Sequence, residues 1–213
     1  IAAAVADSRR KEANRARDRY RHPAETLSFF GVTPDKTVVE IWPSAGWYTE
    51  ILAPLLKDKG HYIAAAQPPG KYRSATEQLV AGDPARFGKV QLDMVLTFRN
   101  VHNFLMSDED AAQAAFATFF RALKPGGVLG VADHRLPEDR DSALEKKSGY
   151  VKQSTIVRLA ENAGFKLVAT SAVNANPTDK ADYPDGVWTL PPTLMKGDAD
   201  RAKYLAIGES DRM

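Results

Sequence analysis

The stretch VVEIWPSAGWYTE, residues 38–50, has the order of a buried strand, a tight turn and the start of a helix. Its apolar run does not alternate, which is typical of a strand covered on both faces. Loops of this layout bind nucleotide cofactors and are usually rich in glycine. This turn holds one glycine, Gly46, and Trp42 and Ser44 stand where further glycines are expected. The loop is therefore either an altered cofactor site or the remains of one.

The rest of the chain alternates segments of strand type with segments of helical type. Apolar runs typical of buried strands follow at residues 61–67, 92–98, 128–132 and 165–171. Apolar spacing and capping residues predict helices at residues 23–30, 47–60, 74–80, 107–123 and 151–163, with Ser107 as the N-cap of the fourth. This alternation predicts an α/β fold, a mainly parallel sheet with helices on both faces, in one domain over residues 23–213.

Composition excludes several classes of function. A chain of 213 residues buries roughly 70% of its unfolded surface and needs no disulfide or metal for stability. It has no cysteine, which excludes disulfides, thiolate metal sites and a cysteine nucleophile. The net charge of +2 is too small to predict a nucleic-acid partner, and no apolar run approaches the ~18 residues of a membrane span.

Residues 1–22 are unusually basic, with seven Arg or Lys against three acids. They predict a basic helix that ends at His22, because a proline disfavours helical backbone in the residue before it. A solvated helix carrying both charges is favoured over an arm that binds polyanions. Tyr20 and His22 are predicted either to close over a ligand as a lid or simply to pack this helix onto the sheet.

Several motifs together resemble those of class I S-adenosylmethionine-dependent methyltransferases. Glu40 ends the first strand where that family keeps an acid, and WPSAGWYT lies over its G-x-G-x-G loop. LDMVLTFRNVHNF, FFRALKPGGVLGVADHR and LAENAGFKLV are similar to later family motifs, in the right order, over about residues 25–172. More narrowly, RYRHPAETLSFF, GWYTEILAP, LTFRNVHN and GESDRM resemble a group of bacterial predicted methyltransferases of unassigned substrate.

The resemblance implies a Rossmann-like fold, S-adenosylmethionine as cofactor and methyl transfer to a small-molecule acceptor. The cofactor-binding residues that it implies are Glu40, Trp42, Ser44, Gly46, Gln67 and Asn100. Glycine permits close backbone approach and positive φ, but this cofactor has no phosphates to cradle, so we predict that the altered loop is usable. Trp42 is expected to have a negative φ, with its ring turned away from the pocket or lining it.

Two features depart from the family pattern. Gln67 stands where the family usually has an acid that holds the ribose hydroxyls, and a neutral amide accepts a weaker hydrogen bond than a carboxylate. Between GKV, residues 88–90, and the strand that begins at Leu92 there are no residues for a third strand and its return, although a parallel crossover usually needs a dozen or more residues. Either the chain lacks this edge strand or a segment near Val90 is missing from the sequence, and we favour the second.

The end of the chain raises a related expectation. Relatives continue beyond GESDRM into a further apolar strand that would pair with the strand at residues 165–171. In its absence we expect the edge of residues 165–171 to be covered by residues 187–194 or left ragged. Trp188, with the following prolines, is predicted as an extended surface segment anchored by one aromatic ring.

The start of the chain, IAAAVADS, is small and apolar and does not begin with Met. It fits the end of a processed signal peptide or the first turn of a helix. Relatives with the RYRHPAE pattern carry export signals, so we expect an exported, periplasmic protein. The alternative is a cytoplasmic protein, because S-adenosylmethionine is made in the cytoplasm.

Two histidines are the candidates for catalysis. His102 follows the fourth strand of the family and His134 ends the fifth, next to Asp133. His102 is predicted as a base or as a group that positions the acceptor, because an imidazole titrates near pH ~6.5. Equally, either histidine caps a loop by bonding to a backbone carbonyl. The three side chains are possible metal ligands, but no ligand spacing supports a metal site and none is predicted.

Two other classes of function stay open. A nicotinamide dehydrogenase needs a glycine loop for pyrophosphate, and Trp42 and Ser44 argue against one. A non-catalytic or degenerate protein that binds S-adenosylmethionine, S-adenosylhomocysteine or another small ligand could have the same fold, because fold does not fix function. Binding of the three cofactors and a methyl-transfer assay separate these classes.

Overall fold

The computed structural model describes residues 1–65 and 91–213. Its main sheet has four parallel strands in the order β2-β1-β3-β4. The strands are β1 (Thr37–Ile41), β2 (His61–Ala65), β3 (Leu92–Phe98) and β4 (Leu123–Ala132). Glu40 lies near the carboxyl end of β1, between two neighbours. The predicted α/β fold with a parallel sheet and a central Glu40 strand is confirmed.

Helices and two minor strands complete the described residues. The helices are α1 (Ala2–Val5), α2 (Glu12–Arg15), α3 (Asp18–Arg21), α4 (Pro23–Phe29), α5 (Thr49–Leu56), α6 (Val101–Ser107), α7 (Glu109–Ala122), α8 (Gln153–Asn162) and α9 (Arg201–Ile207). Strands β5 (Arg135–Leu136) and β6 (Val151–Lys152) form a short parallel pair, and 3-10 turns span Ser142–Lys146 and Gly186–Thr189. In these residues we find no helix with the length and apolarity that a membrane crossing requires.

The sheet has one apolar core on each face, as the uninterrupted apolar strands predict. On one face, Val39 and Ile41 of β1 pack with α6, α7 and α8. On the other face, Val38 of β1 packs with α4 and α5. Because side chains alternate along a strand, Glu40 lies on the same face as Val38 and points toward α5.

The N-terminal segment departs from the prediction of one basic helix over residues 1–22. It forms the three short helices α1 to α3 instead. Arg10 explains the bend, because its buried guanidinium donates to the Val5 carbonyl and to both oxygens of Asp18 at 2.7–2.8 Å. The guanidinium carbon of Arg10 also lies 5.3 Å from the ring centre of Trp47, so the segment packs onto the domain.

The start of α7 corrects a second expectation. Ser107 is not its N-cap, because α6 runs through Ser107. Asp108 takes that place with an extended backbone, and its side chain accepts from the Asp110 backbone N–H at 3.3 Å. An aspartate is as good a cap as a serine, so the helix begins near the predicted residue with a different capping group.

The Lys-Pro-Gly-Gly sequence lies at the start of β4 rather than between a helix and a strand. Leu92 pairs with Leu123, whereas Met94 pairs with Val128, so the register shifts across this sequence. Gly126 has a φ of +78° there. The turn chemistry is as predicted, but it forms a bulge within the strand.

The sixth strand predicted at residues 165–171 is wrong, because the structure has no strand in this range. Leu167 and Val168 are 55% and 94% exposed. A single strand is not stable without a neighbour, and in residues 1–65 and 91–213 no strand pairs with the outer edge of β4. Residues 187–194 do not cover this edge but lie by the cavity described below. Gln67, the helix predicted at 74–80 and the third-strand question fall outside the described residues.

Candidate active site

A cavity of about 160 Å³ opens at the carboxyl ends of β1 and β3. One wall is the end of β1 and the loop after it (Glu40, Trp42, Pro43, Ser44, Trp47, Tyr48). A second is the end of β3 and the segment after it (Phe98, Arg99, Asn100, His102, Asn103). The third comes from later parts of the chain (His134, Val187, Trp188, Pro191, Pro192, Thr193, Arg212). Open α/β sheets bind their ligands at this end of the strands.

The loop after β1 has glycine-like backbone without the glycines. Trp42 has a φ of +44°, Ser44 of +52° and Gly46 of +79°, so all three alternate positions are left-handed. The expectation of a negative φ at Trp42 is wrong. Two contacts hold it there: its N–H donates to the Ala65 carbonyl at 3.0 Å, and its indole lies edge-on to Phe104 at 4.8 Å between ring centres.

Glu40 presents a fixed carboxyl group to the cavity. It is 2% exposed, and its Oε2 accepts from the Tyr62 hydroxyl at 2.6 Å and the Thr49 hydroxyl at 3.1 Å. Burial raises the pKa of Glu40, while the two hydroxyls and the charge of Arg99 act in the opposite direction. The group is therefore oriented before any ligand binds.

Gly46 lies next to Thr49, one of the two residues that orient this carboxyl group. A Cβ built on Gly46 would lie 3.4 Å from both Cβ and Oγ1 of Thr49, which donates to Glu40. A larger side chain at residue 46 would therefore push on the residue that holds the carboxyl group, besides requiring a left-handed φ that only glycine adopts without cost.

Gly46→Val is expected to weaken binding of S-adenosylhomocysteine by at least ~1–3 kcal/mol, the scale of a strained backbone site. The valine combines a β-branched side chain with a left-handed φ and displaces Thr49. The measurement is the dissociation constant by calorimetry, beside a melting curve that checks the fold. Unchanged affinity in a folded variant would contradict a cofactor role for this loop.

Ser44→Gly is the matched change in the opposite direction. Because Ser44 already has a φ of +52°, glycine removes a conformational cost of about 1 kcal/mol. We expect unchanged or tighter binding of S-adenosylhomocysteine and a slightly higher melting temperature. A clear loss of affinity would show that the Ser44 hydroxyl itself contacts the ligand.

Asn100 joins the ends of the two central strands. Its Nδ2 donates to the Ile41 carbonyl at 2.7 Å and to the Thr97 hydroxyl at 3.3 Å. The residue lines the cavity, as its predicted cofactor role requires, but its amide N–H groups also fix the backbone just before Trp42. Replacing Asn100 would therefore disturb the loop as well as the cavity wall.

His102 and Asp133 form a buried dyad at the cavity. The ring Nδ1 of His102 lies 2.8 Å from Asp133 Oδ1, and the two residues are 5% and 0% exposed. Asp133 also accepts from the backbone N–H groups of Val101 at 2.7 Å and His134 at 2.8 Å. Because a carboxylate can only accept here, Nδ1 carries the proton and Nε2 keeps a free lone pair. The sequence interpretation of His102 as a cap to a backbone carbonyl is wrong.

His134 lies beside the dyad in a neutral form. Its ring centre is 5.2 Å from that of His102, and its Nδ1 lies 2.5 Å from the Ser210 hydroxyl. Burial, followed by the charges of His102 and Arg212, lowers the pKa of His134 well below its ordinary value. His134 is thus a neutral hydrogen-bonding group near the site.

Ligand atoms of His102, Asp133 and His134 all lie within 4.8 Å of one another, as a metal site would require. However, the two oxygens of Asp133 already accept bonds from the His102 ring and from three backbone N–H groups, two of them at 2.8 Å or less. A carboxylate has about four acceptor positions, so a metal ion would have to displace these bonds. The geometry favours the dyad.

No protein-family model and no curated protein matches this sequence. Solved structures do resemble the molecule. A SAM-dependent methyltransferase from Aquifex aeolicus has a TM-score of 0.52 and 17% identity, over 72% of this chain and 85% of that one. The chain has the class I methyltransferase fold. The pyocyanin biosynthetic protein PhzM has a TM-score of 0.50 and 14% identity, over 76% of this chain and 56% of its own.

Within this methyltransferase fold, Trp188 corrects a prediction. It is not an extended surface anchor, because it lies in a 3-10 turn and lines the cavity. Its ring centre is 6.4 Å from that of His102, in an edge-on arrangement. Trp188 therefore forms part of the cavity wall near the dyad, which the local sequence around one aromatic residue could not predict.

Tyr20 and His22 pack the N-terminal segment against the methyltransferase fold. A Cβ on Gly208 would lie 2.7 Å from the ring of Tyr20, so the two residues are in close contact. His22 Nδ1 lies 3.2 Å from the Asn174 side-chain oxygen. Neither residue lines the cavity, and the packing interpretation accounts for both.

A buried arginine cluster beside the cavity escaped the sequence analysis. Glu209, 2% exposed, accepts from Arg17 at 2.5 Å, from Arg21 at 3.0 Å and from Arg212. Burial by itself would raise the pKa of Glu209, but Arg212, Arg21 and Arg17 outweigh it and lower that pKa to about 2. The basic excess in residues 1–22 was the one sequence signal of this cluster.

Acid is expected to remove the stabilisation that Glu209 provides. An unfolded glutamate has a pKa near ~4.3, whereas the folded pKa is lowered to about 2. The contribution is therefore complete above the unfolded pKa and is lost as the pH falls through the folded one. The free-energy difference between the parent and Glu209→Gln should shrink over this window. A difference that stays constant down to pH ~2 would contradict the pairing.

Proposed function

We propose that this protein transfers a methyl group from S-adenosylmethionine to a small-molecule acceptor that gives up a proton in the reaction. The observation that carries the proposal is the His102–Asp133 dyad, buried at the cavity where the fold places ligands. A base is needed only for an acceptor that must lose a proton, such as a hydroxyl group. The class I methyltransferase fold supports methyl transfer in general.

The residues of the loop after β1 fit the cofactor. Trp42, Ser44 and Gly46 give the left-handed backbone that lets a ligand approach the main chain, and Glu40 offers an oriented carboxyl group to an ammonium. S-adenosylmethionine supplies, when bound, an electrophilic methyl group on a sulfonium. Gln67, the proposed partner of the ribose, lies outside the described residues.

The chain itself orients the base. Asp133 accepts a hydrogen bond from the Nδ1–H group of His102, which leaves Nε2 as the atom that takes the proton of the acceptor. The resulting imidazolium is stabilised by the carboxylate at 2.8 Å. Trp188, Phe98 and Trp42 add aromatic surface to a cavity whose lining is otherwise largely polar.

Calorimetry with S-adenosylmethionine, S-adenosylhomocysteine and NAD tests the cofactor class. We expect the first two to bind and NAD not to bind. NAD binding alone would replace the proposal by a dehydrogenase. Failure of all three ligands would leave the loop as scaffold and remove the basis of the proposal.

A methyl-transfer assay across small phenols, amines and thiols, with labelled S-adenosylmethionine, then tests catalysis. We expect turnover with an acceptor whose hydroxyl gives up its proton. Binding of the cofactor without transfer to any acceptor would support the non-catalytic alternative.

A further inference from the structure

Two arginines line the cavity on the side of the dyad. Arg99 directly follows β3, and Arg212 pairs through its backbone with His134. Arg212 is 4% exposed. Both belong to the arginine cluster, because the charges of Arg212 and Glu209 act on Arg99. The part of the cavity next to His102 and His134, where we place the methyl acceptor, is therefore strongly cationic.

This cluster lacks negative charge. Arg17, Arg21 and Arg212 share the single carboxylate of Glu209. Within the part of the chain that the structure describes, both Nη atoms of Arg21 and Nε of Arg212 are buried without a hydrogen-bond partner. Leaving buried charged donors unpaired is costly. Of these residues Arg212 lines the cavity, so an anion there would reduce the cost at Arg212.

We infer that Arg99 and Arg212 bind a carboxylate group of the methyl acceptor, which is thus a hydroxy acid rather than a neutral alcohol or phenol. This inference rests on the proposed function, because it assigns the acceptor of the same site. A planar guanidinium matches a carboxylate with two parallel hydrogen bonds. Arg212 lies next to His134, so the carboxylate would sit on the acceptor side of His102.

The electrostatics of neighbouring groups agree with this placement. Burial comes first among the causes that lower the pKa of His134, and Arg212, Arg99 and Arg21 add to it. Burial and Arg212 likewise lower the pKa of Arg99. The charge of Glu209 acts on Arg99 in the opposite direction, so a further negative charge in the cavity would be stabilised by these cations.

A second carboxylate could be the ligand of these two arginines, namely the one at the methionine end of the cofactor. Arg99 also acts on Glu40, which lies on the cofactor side, so Arg99 alone does not separate the two sources. Arg212 is the better probe of the acceptor, because it pairs through its backbone with His134. The experiment below therefore measures acceptor and cofactor binding in the same variants.

The first measurement uses the parent protein saturated with S-adenosylhomocysteine. Calorimetry compares glycolate, 4-hydroxybenzoate and 4-hydroxyphenylacetate, each with its uncharged amide. We expect at least one carboxylate to bind tenfold or more tightly than its amide. No preference for charge in any pair overturns the inference and leaves the proposed methyl transfer intact.

The second measurement uses Arg99→Gln and Arg212→Gln, with Arg158→Gln as a control. Arg158 is an exposed arginine on α8 that pairs with Glu109 and does not line the cavity. Both cavity variants should weaken the best carboxylate tenfold or more and its amide less than twofold, with S-adenosylhomocysteine unchanged. Arg99→Gln leaves the Glu209 pairs in place, so it serves if Arg212→Gln does not fold.

The remaining outcomes are decisive too. If the cavity variants weaken S-adenosylhomocysteine but not the carboxylate, the arginines bind the cofactor and the inference is overturned. If the parent binds no S-adenosylhomocysteine at all, the proposed function fails, and the titrations are repeated without it. A preference for the carboxylate that both variants abolish would then still support the anion site.

Discussion

Glu209→Gln is expected to lower the free energy of unfolding by about 3–5 kcal/mol, the cost of removing one partner from a buried ion pair. Glu209 is 2% exposed and bonds to three guanidinium groups. Glutamine keeps the shape and one acceptor oxygen but removes the charge. Two buried cations, Arg21 and Arg212, and the partly buried Arg17 would then face one another with no carboxylate between them.

The three arginines come from two distant parts of the chain, so removing the charge of Glu209 should weaken contacts in both parts. Arg17 and Arg21 belong to the N-terminal segment, whereas Arg212 lies in the last two residues of the chain. Arg212 also donates to the Tyr20 carbonyl at 3.1 Å. Glu209 thus holds both ends of the chain together beside the cavity, and its loss should loosen the cavity wall as well as lower the stability.

Denaturant unfolding measures this prediction, and Glu109→Gln is its matched control. Glu109 also pairs with two cations, Arg158 at 3.0 Å and Lys146 at 3.9 Å, but its side chain is 46% exposed. Exposed pairs contribute about 0–1 kcal/mol, so the control should lose little. Equal losses in the two variants would mean that burial of Glu209 is not what makes its pairs strong.

The sequence was sufficient for the strand, turn and helix around Gly46, because local apolar patterning and turn residues decide them. It was not sufficient for the backbone of Trp42. A tryptophan rarely has a positive φ, and the contacts that hold it come from Ala65 and Phe104, which lie far from it in sequence. The cofactor-type loop was therefore predictable as a segment but not in its geometry.

The prediction of a sixth strand was wrong because a pairing partner is missing from the described residues. Residues 165–171 have the composition of a strand, but a strand is stabilised by its neighbours. In residues 1–65 and 91–213 nothing pairs beyond β4. Composition predicts the tendency of a segment, whereas the partner that realises the tendency lies elsewhere in the chain.

The candidate site was predictable in part. His102 and Asp133 could both be placed at strand ends, and parallel strands bring such ends together. Their 2.8 Å contact could not be predicted, and Asp133 entered the sequence analysis only as a possible metal ligand. Glu209 could not be found at all, because its partners Arg17 and Arg21 lie 192 and 188 residues away.

Asp133→Asn is expected to lower the rate of methyl transfer about 10²–10⁴-fold, the usual contribution of a positioned acid–base group. Asp133 acts through His102, so it is a positioning residue. An asparagine can turn its N–H group toward Nδ1 of His102, which would then have to accept. The proton moves to Nε2, and the imidazole presents a donor to the acceptor instead of a base.

The tautomer itself gives a readout that a structural defect would not reproduce. Nitrogen chemical shifts of the His102 ring should show a protonated Nδ1 in the parent and a protonated Nε2 in Asp133→Asn. Ser210→Ala is the control, because it removes the 2.5 Å contact of His134 and leaves the dyad in place. We expect less than a tenfold loss of rate in that control, with the His102 tautomer unchanged.

Binding of the cofactor product separates a loss of catalysis from a loss of the cavity. Because asparagine has nearly the size and shape of aspartate, S-adenosylhomocysteine should bind to Asp133→Asn as tightly as to the parent. A normal rate in Asp133→Asn despite the reversed tautomer would show that no base is needed, and the acceptor would then be a group that attacks without losing a proton first.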